Sequence, residues 1–236
     1  MPSRLRDVGL DQRLRRAAWA RGGRTDTAVD RWLARRTPLP PPGERRVEIG
    51  SGFSPRPGYL HVDARAGLPD LDLVARGDQL PLPAGWADEV LAVHMVEHVP
   101  AAQLPGVLRS WRRVLRPGGR LVLHTPNGTA LARALLEGGP RVRWAVQAAI
   151  YGYDRAPWDA GSAEALGDRP DHRLLLDRDL AVAELEAAGF VDVEDVSGQD
   201  PSCHHSRDWA DWVPGLCLEV QAFAPEQTAQ DARRQK

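Results

Sequence analysis

Five short clusters hold the residues whose types and spacing can do chemistry. VEIGSGFSP, Val47 to Pro55, ends a buried strand in Glu48 and follows it with Gly50-Ser51-Gly52. Glycines there let backbone approach a ligand closely. HVD, His61 to Asp63, places an acid at the end of the next strand, where a carboxylate can accept hydrogen bonds from both ribose hydroxyls of a nucleoside. In RGDQLPLP, Arg76 to Pro83, Asp78 follows a third strand. ADEVLAVHMVEHVP, Ala87 to Pro100, contains His94-Met-Val-Glu97-His98, which spells the H-x-x-E-H pattern of some zinc proteases. That chemistry needs both histidines on one helix face. His94 instead ends the apolar strand pattern of Val90, Leu91 and Val93, so the rings are expected to diverge and no metal is expected. RVLRPGGRLVLHTPN, Arg113 to Asn127, is the fifth cluster. Cys203-His204-His205 with Cys217 offers another set of metal-ligating side chains, but Cys217 falls inside a strand pattern and reads as a buried thiol.

The elements that must position these residues alternate along the chain. Strands are expected at Arg46–Ile49, Tyr59–Val62, Leu71–Ala75, Glu89–His94, Arg120–Thr125, Val191–Val196 and Leu216–Phe223. Helices are expected at Ala101–Leu115, at Asn127–Leu136 with a less regular continuation to about Ala149, and at Arg178–Ala188 before Gly189. Strands alternating with helices imply a mostly parallel sheet covered on both faces. Trp111 and Trp144 sit in helix patterns and are expected in the core. Residues 138–173 are polar, punctuated by Gly and Pro, and carry aromatics, which marks a lid or binding loop. Tyr151 and Tyr153, with Trp158, would wall a substrate pocket from it.

Composition bounds the reading. The chain has 236 residues, 42% hydrophobic and 27% charged, with net charge -1, which describes one soluble globular domain with extensions. Lys236 is the only lysine. A pyridoxal phosphate enzyme needs a buried lysine and a Walker A loop needs one on its phosphates, so both are excluded. The nucleophile-elbow pattern G-x-S-x-G is absent. Two cysteines cannot staple a scaffold, no apolar run reaches the ~20 residues of a membrane span, and no secretion signal is read, so a reducing, cytoplasmic setting is expected. Residues 1–43 read as two basic amphipathic helices and a Pro-rich spacer; residues 1–46 hold twelve arginines against five acids. The main domain is expected over 44–224 and a polar tail over 225–236.

The ordered series of Gly turn, acid, G-D-x-x-x-L-P, D-x-V-x-x-x-x-x-x-E-H and R-V-L-R-P-G-G resembles the class I S-adenosylmethionine-dependent methyltransferases, in their small-molecule, methyltransferase-11-like branch. The likeness runs from about Arg45 to Phe223. It implies a Rossmann-like, seven-stranded α/β sheet with the last strand antiparallel. It implies S-adenosylmethionine as cofactor, with Glu48, Gly50, Ser51 and Gly52 cradling its methionine end and Asp63 on the ribose. Asp78, Gln79 and Leu80 would meet adenine, and His94 would lie beside the methionine part. His98 would sit near the transferred methyl, and His172, beyond the lid, would face substrate. Histidine suits the base that an oxygen nucleophile needs, so His98 and His172 are the candidate catalytic residues.

One departure stands out. The family carries a helix between the Gly turn and the second strand, whereas here only Phe53 to Gly58 intervene, with Pro55 and Pro57 among them. No ordinary helix fits there. The link to the third strand, Ala64 to Asp70, is short as well. The two N-terminal helices are expected to cover the sheet face left bare. The missing helix also weighs against a nicotinamide oxidoreductase, whose pyrophosphate sits on that helix. The expected activity is methylation of an O or N atom of a small molecule such as a sugar, natural product or other metabolite. A catalytically silent cofactor-binding protein is the alternative. The charge balance favours no nucleic acid, and the basic N-terminus leaves a peripheral or carrier-linked substrate open.

Overall fold

The computed structural model describes residues 45–52, 55–65, 68, 70–151, 172–199 and 215–226. The two N-terminal helices, the Cys203-His204-His205 run, Tyr153, Trp158 and the polar tail from 227 onward lie outside the described residues. Seven strands form one sheet: β1 (Arg46–Ile49), β2 (Leu60–Asp63), β3 (Leu73–Val74), β4 (Ala87–Val93), β5 (Leu115–Pro126), β6 (Val191–Asp195) and β7 (Cys217–Phe223). Their order is β3-β2-β1-β4-β5-β7-β6. β7 alone runs antiparallel to its neighbours β5 and β6. This is the expected Rossmann-like architecture.

The central strands are buried almost throughout, as in a parallel sheet. α1 (Leu104–Val114) buries Leu104, Val107, Leu108, Trp111 and Val114, a single stripe at helical spacing. α2 (Gly128–Glu137) starts where the Asn127 side chain accepts from the Ala130 amide, and α4 (Arg178–Ala187) where Asp177 accepts from Leu180. Both are N-caps that satisfy an otherwise orphaned amide. α3 (Pro140–Tyr151) packs on α2 in a small second core around Leu131, Val146 and Leu216.

Several boundaries differ from expectation for identifiable reasons. β3 pairs at only two positions, Leu73 and Val74; next to them Asp72 is tied to His61 by backbone and side chain. β5 begins five residues early because Leu115 pairs with Ala87 across an irregularity in the register. Trp111 is fully buried as expected, but Trp144 is 47% exposed. Trp144 lies two residues from both Val142 and Val146, about 200° around the helix from the residues that meet α2.

The chain runs outward from β1 to β2 and β3, then returns to lay β4 on the other side of β1. Such a reversal leaves a crevice at the carboxyl ends of the strands, where ligands bind in open α/β sheets. Among the described residues no helix is long and apolar enough to cross a membrane.

Candidate functional site

The turn after β1 is hooked onto β2, with the Gly50 amide donating to the Val62 carbonyl at 2.7 Å. Gly50 and Gly52 adopt φ of +74° and +58°, a region that side chains disfavour. The Ser51 hydroxyl between them is buried and has no hydrogen-bond partner among the described residues. Asp63 Oδ2 accepts from the Gly52 amide at 3.2 Å, and both its oxygens meet the half-exposed Arg65 guanidinium. Glu48 is turned to the loop, where its Oε2 accepts from the Arg56 amide at 2.8 Å. Burial pushes the Glu48 carboxyl above its ordinary range, against that hydrogen bond and the charges of His61 and Arg56.

The loop after β3 forms the next wall. Asp78 makes a paired contact with Arg76, which also reaches Gln103. Gln79 is exposed and Leu80 is buried. Two inward ties hold this loop. Trp111 Nε1 donates to the Gly77 carbonyl at 3.0 Å, and the Arg113 guanidinium donates to the Leu80 and Leu82 carbonyls at 2.8 and 2.9 Å. Met95 bridges the two glycine turns: a Cβ on Gly50 would stand 2.5 Å from Met95 Cγ, and one on Gly77 would stand 2.7 Å from Met95 Cε.

The segment after β4 carries the histidines. His94 takes φ +48°, a conformation costly for a residue with a Cβ and typical of functional sites. His94 Nδ1 bonds to Glu97 Oε1 at 3.0 Å, and its Nε2 lies 3.8 Å from Cys217 Sγ. Cys217 is only partly buried. Val96–His98 forms one 3-10 turn, which projects His98 toward His172 with ring centroids 4.8 Å apart in edge-to-face geometry. The Arg173 and Leu174 amides donate to the Glu97 carbonyl at 2.7 and 3.1 Å, so the returning chain is clipped to the turn beside His172. Burial opposes charge on Glu97, but the His94 bond and the charges of His94 and His98 outweigh it and hold its carboxyl below the ordinary range. Burial chiefly, with the charges of His98 and His94, lowers His172 against the pull of Glu97 and the Ala149 carbonyl.

The expected site residues therefore fall into two groups. Glu48, Gly50, Ser51, Gly52 and Asp63 share one end of the sheet with the Asp78-Gln79-Leu80 loop and His94; His98 and His172 form a pair beside them. Tyr151 ends α3 and is 53% exposed, while Tyr153 is outside the described residues. Sequence reasoning missed three contributors. Met95 and Arg65 carry no motif of their own, and Glu97 was visible only inside the H-x-x-E-H pattern.

The residues present fit S-adenosylmethionine. An unpartnered buried hydroxyl stands in a glycine turn, and a buried carboxylate ends β2 against a half-exposed guanidinium. Residues 57–123 match the family model described as a methyltransferase domain. No curated protein sequence matches the chain. Among solved structures, a S-adenosylmethionine-dependent methyltransferase from Archaeoglobus fulgidus is 15% identical, with TM-score 0.48, over 83% of this chain and 92% of that one. The CurJ carbon methyltransferase is 19% identical, with TM-score 0.48, over 95% of this chain and 62% of that one. Phosphoethanolamine N-methyltransferase 2 of Haemonchus contortus is 15% identical, with TM-score 0.47, over 82% of this chain and 51% of that one. The matched segment and the strand order agree: residues 57–123 are similar to a methyltransferase domain, and they lie within a Rossmann-like sheet.

Proposed function

We propose that the chain is an active methyltransferase that uses S-adenosylmethionine to methylate an oxygen or nitrogen of a small molecule. The observation that carries this reading is the grouping at one end of the sheet of the Gly50–Gly52 turn, the Asp63 carboxylate and the His98–His172 pair. Bound there, the cofactor supplies an electrophilic methyl on a sulfonium. Gly50, Ser51 and Gly52 would hold its methionine end and Glu48 would reach it through the loop it braces. Asp63 would accept from the ribose hydroxyls after Arg65 swings aside, and Asp78, Gln79 and Leu80 would border adenine. The His98–His172 side of the site would hold the acceptor's lone pair toward that methyl. The acceptor proton passes to the His98–His172 pair. Holding the acceptor in line with the bond that breaks supplies most of the acceleration.

The balanced charge of the chain supports a small acceptor over nucleic acid, and its two cysteines fit a reducing cytoplasm. One observation favours a second reading, a silent binder of the cofactor: Arg65 closes over the Asp63 carboxylate and Glu48 is engaged by the loop. Calorimetric titration with S-adenosylmethionine, with NAD as control, tests the cofactor. Binding lost in Asp63→Ala is expected; no binding would overturn the proposal. Turnover in an acceptor screen then separates enzyme from silent binder.

A further inference from the structure

We infer that Glu97, His98 and His172 form a binding site for a divalent transition-metal ion. One ligand atom from each of the three lies within 4.8 Å of the others. Two imidazoles and one carboxylate with positions left open form a donor set suited to zinc, iron(II), manganese or cobalt. Each donor needs a bond of about 2.1 Å to a shared ion.

Three independent features mark a built site. Glu97 Oε2 is buried and has no hydrogen-bond partner among the described residues, and the same is true of His98 Nδ1. Buried polar atoms left unpaired are costly, and an ion between these side chains removes that cost for the carboxylate. The remaining positions are fixed as metal ligands usually are, by partners behind them. Glu97 Oε1 is oriented by His94. His172 Nδ1 bonds to the Ala149 carbonyl at 2.7 Å; a carbonyl only accepts, so Nδ1 carries the proton and Nε2 keeps the lone pair that an ion needs. The clip of Arg173 and Leu174 onto the Glu97 carbonyl sets the distance between the two halves of the site. Both imidazoles are only partly buried, which leaves a way in for the ion and for a further ligand.

The open coordination positions point to the acceptor class. They take oxygen donors, so the acceptor presents a hydroxyl or a vicinal pair of oxygens to the ion, which would lower the hydroxyl pKa so that its proton leaves to solvent, because imidazoles that hold the ion no longer accept it. That assignment of the acceptor rests on the methyltransferase reading; the ion site does not.

The test uses the full chain, stripped with a chelator and titrated with cobalt(II), read by its visible ligand-field absorption and by calorimetry. One equivalent bound, displaced by zinc, and weakened at least tenfold in His172→Ala and in Glu97→Gln is the expected result. Absence of saturable binding, or equal binding in both folded variants, overturns the site. His172→Ala guards against a fold defect in Glu97→Gln, since His172 lies only partly buried at the edge of the domain. Titration with S-adenosylmethionine is read separately: the variants retain it if only the ion site is lost, whereas its failure in the wild-type chain strikes the methyltransferase reading and leaves the ion measurement intact.

Discussion

Replacing Gly50 by alanine should be far more damaging than the same change at Gly77, although both glycines face Met95. At Gly50 two costs add. The backbone sits at φ +74°, and an L-residue in that region loses about 1–2 kcal/mol. The new Cβ would also stand 2.5 Å from Met95 Cγ and 2.8 Å from Met95 Cβ, well inside the 3.5–4.0 Å of an ordinary carbon contact. Met95 Cβ is fixed to the backbone and cannot rotate away, and Cγ moves only by a change of its first side-chain torsion. Overpacking of this kind costs about 1–3 kcal/mol, so the sum is about 2–5 kcal/mol. At Gly77 the close atom is Met95 Cε at 2.7 Å, the free end of a flexible chain, and the next contacts are at 3.5 Å. The expected cost there is below about 1 kcal/mol. Urea unfolding of the two variants measures the difference. Adding Met95→Ala to Gly50→Ala should return the part of the overpacking that comes from Met95 Cγ and leave the Cβ contact and the backbone part, a coupling a double-mutant cycle reads directly. Gly50→Ala within ~0.5 kcal/mol of wild type, the usual spread for harmless changes, would refute the reasoning. So would Gly77→Ala costing as much as Gly50→Ala.

Three further outcomes follow from the same geometry. Asp63→Ala should weaken S-adenosylmethionine at least tenfold in calorimetry while Arg65→Ala leaves it unchanged or tighter, because Arg65 occupies the carboxylate that the ribose would use. Arg113→Ala should destabilise the domain by about 1–3 kcal/mol in urea unfolding, since two charge-assisted bonds to the Leu80 and Leu82 carbonyls are lost, and Arg113→Lys, lacking the fork, should restore only part of it. The contribution of Glu48 and Asp72 to stability should fall as pH rises from the ordinary carboxylate range toward neutrality, opposite in sign to that of His172. Burial raises Glu48 above 4.5, against His61 and Arg56, and raises Asp72 above 3.8, against His61 but with Asp70 adding to the rise. A raised folded-state value gives stability that is complete below the unfolded value and lost as pH rises through the folded one. Thermal melts across that interval should flatten in Glu48→Gln, and an unchanged slope would count against the assignment.

How far the sequence carried depended on how local each cause is. The β1 pattern, two inward residues in Arg46–Ile49 followed by glycines, set that strand to the residue, and the Asn127 and Asp177 caps set two helix starts. The start of β5 was hidden because it rests on a pairing with Ala87, 28 positions away. Trp144 was misjudged because an apolar residue in a helix pattern says nothing about which side meets a neighbour. In the site, glycines and Asp63 announce themselves through backbone geometry and charge. Glu97 did not, since its meaning comes from His172, and only the amides of Arg173 and Leu174 on the Glu97 carbonyl bring the two together.

The missing first helix shows what takes over when regular structure is removed. A helix satisfies its own amides and carbonyls; the loop between β1 and β2 cannot, so side chains do it. His61 bonds to the Arg56 carbonyl through Nε2 at 2.7 Å and to the Asp70 carbonyl through Nδ1 at 2.9 Å. Carbonyls only accept, so the ring nitrogen that carries the proton donates to one of them, and the Glu48 and Asp72 carboxylates lie 3.6 and 3.7 Å from the ring. Glu48 receives the Arg56 amide, Asp63 the Gly52 amide and Asp72 the His61 amide. One histidine and three acids thereby pin both short connections. The consequence is that Glu48 and Asp63 hold up the loop that would carry the cofactor as well as facing it. Their alanine variants therefore act on the fold and on binding together, whereas Glu48→Gln and Asp63→Asn keep an acceptor for the loop amide and change only charge. A loss of cofactor affinity in Asp63→Asn without a matching loss of stability is what separates recognition of ribose from support of the turn.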